Sequence, residues 1–284
     1  MNSEAQVLYR LLKLFPVKLV KEHFQINKSG EALYSDVLSG NIASVIYDFA
    51  YSNLDRTKQH IYIFDIDNRD GNILLEGFPF QIVNNRDVNG SKQLIISPLI
   101  NYNTVLGSPF EQVVINFHQP IKLEITDKHL IFFVTIVEKN IKNYVDEGRK
   151  VYNVEKTNDE FEVMKAITDF WAAKRPRLCD LNKGLKKMWD DDIIDCKYAQ
   201  WKKSKSTTTE TMDENYTLKS QYLEVYEGIV TAPLKKTIFK YLPDDGNMPE
   251  HFTADPGIGQ ISIPLYPKSL NQNQNVVKKI LSNN

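Results

Sequence analysis

Residues 121–137 read Ile121-Lys122-Leu123-Glu124-Ile125-Thr126-Asp127-Lys128-His129-Leu130-Ile131-Phe132-Phe133-Val134-Thr135-Ile136-Val137. Two apolar, β-branched and aromatic runs, 121–126 and 130–137, are joined by little more than Asp127-Lys128. A connection that short pairs its strands antiparallel, because a parallel crossover needs a dozen or more residues. The same signals recur upstream. His60-Ile61-Tyr62-Ile63-Phe64-Asp65-Ile66 is strand material. Asn68-Arg69-Asp70-Gly71 carries an Asp-Gly hairpin signal, and Asn89-Gly90 marks another turn. Residues 72–76, 78–83, 93–97 and 110–117 complete the expected strands. No helical pattern alternates with them, which disfavours a doubly wound α/β sheet. Residues 58–155 therefore read as an antiparallel β-sheet or partial barrel.

Helical spacing flanks this section on both sides. In residues 1–57, Val7, Leu8, Leu11, Leu12 and Phe15 share one face, behind a capping box of Ser3 and Gln6. Pro16 ends that helix or opens the next, which carries Val17, Leu19, Val20 and Phe24. After a break at Lys28-Ser29-Gly30, a third helix is expected through Leu33 and Val37. Asn41 is placed to cap a fourth, through Ile46 and Phe49. Beyond the strands, Thr157 and Glu160 form a second capping box ahead of Phe161, Met164, Ile167 and Phe170. Asp180 is placed to cap a helix with Leu185, Met188 and Trp189. A strand is expected at 193–198, an exposed polar loop at 202–213 and a helix around Tyr226 and Ile229. Two more strands, 237–242 and 260–265, flank a Pro/Gly-rich connection. The chain thus reads as α+β: a helical N-terminal unit (1–57), a central antiparallel β domain (58–155) and a mixed α/β C-terminal section (156–284). No internal repeat is found.

The composition excludes several classes. The chain has 284 residues, 42% of them hydrophobic, too many for a disordered segment. Its 12 Gly and 12 Pro are too few for a collagen-like repeat, and its 2 Cys cannot build a disulfide scaffold. Opposite charges nearly balance, with 35 Lys+Arg and 36 Asp+Glu. That argues against a uniformly basic nucleic-acid coat and leaves room for a local patch. The longest apolar run, 130–137, falls short of the roughly 20 residues of a membrane-spanning helix. The first residues lack the apolar run of a secretory signal. A cytoplasmic location with no membrane partner is expected, and Cys179 and Cys196 read as reduced thiols. The histidines (His23, His60, His118, His129 and His251) are scattered. No cluster of them accompanies the cysteines, so spacing gives a zinc site no support. No Gly-x-Ser-x-Gly, P-loop or dinucleotide fingerprint is present.

The most distinctive charge pattern lies between residues 174 and 205. Lys174, Arg175, Arg177, Lys183, Lys186, Lys187, Lys197, Lys202, Lys203 and Lys205 outnumber five acids, Asp180, Asp190, Asp191, Asp192 and Asp195. Trp189, Tyr198 and Trp201 are interleaved. Cations paired with aromatic rings suit phosphate contact and base stacking. Lys174, Arg175, Arg177, Lys186, Lys187, Lys202, Lys203, Lys205 and Trp201 are the candidate nucleic-acid-binding residues.

Within the same stretch, Ile193-Ile194-Asp195-Cys196-Lys197 resembles the strand of PD-(D/E)xK nucleases. The resemblance implies that Asp180 and Asp195 hold Mg²⁺ beside the scissile phosphate. The ion lowers the pKa of the attacking water, and Lys197, two residues on, shares the strand face of Asp195. The chain departs from that pattern in placing Asp180 at an expected helix cap. Tyr62-Ile63-Phe64-Asp65-Ile66-Asp67 resembles the Asp-x-Asp signature of haloacid-dehalogenase phosphatases. It departs at Arg69, and that family's parallel sheet conflicts with the hairpin signals. No strong catalytic motif stands, so no cofactor is expected, and Mg²⁺ only for a nuclease. The leading reading is a non-catalytic, nucleic-acid- or partner-binding component of a larger microbial system, of the defence or mobile-element kind. The alternatives are a Mg²⁺-dependent nuclease and a structural subunit of an oligomeric assembly, with a second copy of the chain as partner.

Overall fold

The computed structural model describes residues 3–68, 71–88, 90–107, 109–137, 141, 149–156, 159–203, 206–211 and 217–284. Four helices come first: α1 (Glu4–Leu12), α2 (Val17–Phe24), α3 (Glu31–Gly40) and α4 (Ala43–Ser52). Strands follow: β1 (Gln59–Asp65), β2 (Ile82–Val88), β3 (Ser91–Ile96), β4 (Leu99–Leu106), β5 (Glu111–His118), β6 (Ile121–Ile125), β7 (His129–Thr135) and β8 (Val151–Lys156). Then come α5 (Glu160–Phe170), β9 (Arg177–Leu178), α6 (Asn182–Asp190), β10 (Ile194–Lys203) and β11 (Ser206–Thr211). The chain closes with α7 (Leu218–Gln221), α8 (Leu223–Val230), β12 (Leu234–Tyr241), β13 (His251–Asp255), β14 (Gln260–Ile263) and α9 (Gln272–Asn283). The fold is α+β, its strand registers are antiparallel, and the sheet does not close into a barrel.

Two compact units share this chain, and they interleave rather than follow one another. The first holds residues 1–57, 72–124 and 134–173, and the second 58–71, 125–133 and 174–284. In the first unit, strands run in the order β6-β3-β2, beside a three-stranded sheet β5-β4-β8. The apolar stripes of α1 to α4 bury Leu11, Leu12, Val20, Leu33, Val37, Ile46 and Phe49 against Ile100, Ile115 and Phe117. Arg10 is buried there because its guanidinium donates to the Asn116 carbonyl at 3.0 Å and lies 5.5 Å from the Phe117 ring centroid. The second unit carries strands in the order β11-β10-β12-β13-β14-β1-β7, with β9 paired to the end of β1. Its core joins Ile61 and Ile63 to Trp189, Phe239, Phe252, Val276, Val277 and Ile280.

Several local expectations change. Ser3 stands at the N-cap of α1, but its side chain makes no capping bond. Asn41 closes α3 rather than opening α4, donating from Nδ2 to the Val37 carbonyl at 2.9 Å. Thr157 lies outside the described residues; the cap of α5 is Asp159, which accepts from the Phe161 and Glu162 amides. Residues 72–76 form no strand. Phe78 instead packs its ring on Phe170 and Trp171, with centroids 5.4 and 5.3 Å away. The expected loop at 202–213 contains a hairpin, in which Tyr198–Lys203 pair residue by residue with Ser206–Thr211. Threonine-rich sequence suits an extended strand, and here it out-competes the polar-loop reading. The Asp-Gly turn at 70–71 and the Asn-Gly turn at 89–90 fall partly on residues outside those described.

Candidate functional site

The residues of the nuclease resemblance sit in separate local frameworks. Asp195 on β10 is only 4% exposed. Its Oδ1 accepts from Trp189 Nε1 at 2.8 Å, the Cys196 amide at 2.7 Å and the Lys219 amide at 3.2 Å. Asp180 is exposed, and its Oδ1 accepts from the Asn182 amide at 2.9 Å and from Asn182 Nδ2 at 2.7 Å. It thus organises the start of α6 from one residue before the N-cap, Leu181. Lys197 does not follow simple alternation from Asp195, because the register with β12 shifts between Cys196 and Tyr198. The core-facing residues are Ile194 and Cys196, then Ala199 and Trp201. A bulge of this kind re-aims the side chains that follow it.

The candidate nucleic-acid-binding residues divide among several elements. Trp201 is buried in the core of its unit, so its ring is withdrawn from base stacking, contrary to expectation. Lys205 and the Lys203 side chain lie outside the described residues, while Lys202 is exposed on β10. Lys174 is half-buried, and its carbonyl accepts from the Asp67 amide. Arg175 is exposed and holds a left-handed backbone, φ 51°. Arg177 reaches Asp65, Nε to Oδ2, at 3.7 Å.

Three lysines of this stretch gather on α6 around one groove. Lys183, Lys186 and Lys187, spaced three and four apart, line an open groove of about 980 Å³ with Asp180, Asp190 and Asn284. Lys187 pairs with Asp191 at 2.6 Å, which pushes its pKa up, and Lys183 Nζ donates to the Asn284 O atom at 2.7 Å. Lys186 is half-buried and makes no hydrogen bond or ion pair among the described residues. Burial lowers its pKa against the opposing pull of Asp180 and Asp190. Leu185, Met188 and Trp189 occupy the buried side of the same helix. Gly184 lets α6 lie against α9, since a Cβ there would stand 2.3 Å from the Ile280 carbonyl oxygen.

A second cluster escaped the sequence analysis. Asp65 at the end of β1, His129 at the start of β7 and Cys179 after β9 bring their ligand atoms within 4.8 Å of one another. His129 Nε2 lies 3.7 Å from Asp65 Oδ1. The backbone holds these positions tightly. The Cys179 amide donates to the Ile63 carbonyl at 3.0 Å, and the Ile66 amide to the Lys128 carbonyl at 2.8 Å. Thr126 Oγ1 accepts from the His129 amide at 2.8 Å. Gly259 passes so close that a Cβ would meet the Ile63 and Cys179 carbonyl oxygens at 2.5 and 2.9 Å. Burial pushes the Cys179 thiol up to about 12, helped by its hydrogen bond to Asp65. Burial also lowers the His129 pKa, against the pull of Asp65 and Asp127. Spacing gave no hint of this trio, because its members come from three distant segments.

Comparison with known proteins finds no match to this chain among family models, curated proteins or solved structures. No helix among the described residues is long and apolar enough to cross a membrane.

Proposed function

We infer that the chain is a non-catalytic binding component of a larger assembly, and that the lysine face of α6 docks nucleic acid through its phosphates. The observation that carries this reading is Lys186, a half-buried ammonium without an ion pair among the described residues, set with Lys183 and Lys187 in an open groove. Neighbouring acids are engaged internally. Asp192 pairs with Lys219 at 2.6 Å, and Asp190 accepts from the Tyr226 hydroxyl. The Lys219 ammonium offsets the Asp192 charge, while Asp180 and Asp190 keep theirs and line the groove beside the lysines.

The nuclease alternative draws less support, because the Asp195 Oδ1 already accepts three N–H donors. A structural subunit is supported by another feature of the second unit: exposed Leu242, Leu265 and Tyr266 around a concavity of about 340 Å³.

Fluorescence anisotropy with labelled DNA and RNA over a salt series tests the leading reading. Expected is affinity that falls steeply with salt, and a Lys183→Ala/Lys186→Ala/Lys187→Ala variant with a slope smaller by up to about 3. Absence of binding at low salt, or a variant that binds like the parent, overturns it. Plasmid incubated with Mg²⁺ and the parent or Asp195→Asn protein tests cleavage. Light scattering of the parent protein measures its oligomeric state.

A further inference from the structure

We propose that Asp65, His129 and Cys179 form a binding site for one divalent transition-metal ion, of the zinc class. The site uses none of the α6 lysines, although Asn284 lies against both it and the α6 groove. Its donors are a carboxylate oxygen, an imidazole nitrogen and a sulfur, the set that zinc takes in proteins. Two such donors on one tetrahedral ion stand about 3.3–3.6 Å apart, from the usual bond lengths. The observed 3.7 Å between His129 Nε2 and Asp65 Oδ1, and the 4.8 Å limit on all three, ask for only a small inward movement. A direct hydrogen bond between the imidazole and the carboxylate would be shorter than 3.7 Å.

The surroundings fit such an ion. Arg177 Nε stands 3.7 Å from Asp65 Oδ2, whereas Oδ1 is the oxygen nearer His129. The Arg177 side chain is 82% exposed, so its contact with Asp65 is a weak surface pair that leaves the carboxylate open to an ion. Asn284 Nδ2 lies 3.7 Å from Cys179 Sγ, placed to donate to a metal-bound thiolate. Outer partners of this sort orient ligands and tune a site. Cys179 is buried, while Asp65 and His129 are each part-exposed, which gives the ion a route in. On binding, the Cys179 thiol gives its proton to solvent and the sulfur pair to the metal. Three protein ligands leave a fourth position for water.

The test uses the full untagged chain, freed of metal with a chelator. Zn²⁺ is titrated by chelator competition, and Co²⁺ as a spectroscopic substitute. Expected is one equivalent bound, with a thiolate-to-cobalt charge-transfer band lost in Cys179→Ser and kept in Cys196→Ser. His129→Gln and Asp65→Asn, at part-exposed positions, weaken Zn²⁺ binding at least about tenfold with an unchanged circular dichroism spectrum. If Cys179→Ser fails to fold, these two variants decide. No binding by the parent at a large excess of Zn²⁺ overturns the proposal. So does a charge-transfer band that survives in Cys179→Ser, or unaltered affinity in both His129→Gln and Asp65→Asn.

Discussion

The Asp195 carboxylate satisfies three N–H donors inside the second unit, one of them the indole of a fully buried Trp189. Removing it strands those donors. Asp195→Ala should therefore cost about 2–4 kcal/mol of stability in denaturant unfolding, and Asp195→Asn, which keeps an acceptor oxygen, should cost less. His118 gives a prediction in pH. Burial lowers its pKa in the folded protein, although the Ser97 carbonyl opposes this. The unfolded chain then takes up a proton near pH 6.5 that the folded chain refuses. Stability from this group is present above that pH and is lost as pH falls through the lower, folded pKa. Thermal melts from pH 7.5 to 5 should show the decline, and His118→Gln should flatten it. At this scale the sequence was only partly legible. Asp195 and Lys197 stood out as a motif, yet burial of the first and a bulge beside the second depend on neighbours that no local pattern reveals. Asp65, His129 and Cys179 each looked isolated, and only strand pairing joins them.

Elements were easier to foresee where one face meets a core. The stripe of Leu185, Met188 and Trp189 marked α6, and the apolar runs marked β6 and β7, because periodicity records burial directly. Ends and exposed strands were harder. Asn41 suits either end of a helix, and its bond to Val37 settles the matter only in three dimensions. β11 reads as loop because Ser206-Thr207-Thr208-Thr209-Glu210-Thr211 is polar throughout and carries no core signal, whereas the apolar start of β10 reads as strand. β13 alternates, burying Phe252 and Ala254, but its five residues between Pro249 and Pro256 give too short a run to stand out. The close approach of α6 and α9 is testable. Gly184→Ala places a methyl against the Ile280 carbonyl and should destabilise by about 1–3 kcal/mol, with a lowered melting temperature. If the melting temperature of Gly184→Ala is unchanged, that helix contact is looser than described.

Across the whole molecule, the sequence conveyed the α+β class and the antiparallel pairing, since short connections leave little choice. It conveyed nothing of the interleaving. Which distant strands become neighbours depends on surface complementarity spread over the full chain. The second unit draws on residues 58–71 and on 174–284, and α9 supplies Val276, Val277 and Ile280 to its core. Asn273 Nδ2 also donates to Gln59 Oε1 at 2.7 Å. Deleting residues 272–284 should therefore unfold this unit rather than trim it, seen as lost near-ultraviolet dichroism and rapid proteolysis of 174–271. A truncated chain that keeps a cooperative melt at the parent temperature would contradict this.

The interleaving also sets an order of events on the ribosome. Strand β1 lies against β14, with Gln59 opposite Ile263 and Ile61 opposite Ile261. That flank of β1 stays open until residues 260–263, about 200 positions further on, have been synthesised. Ile61 and Ile63 wait for that partner strand through all the intervening synthesis, and their segment offers a nascent-chain chaperone an apolar foothold in the meantime.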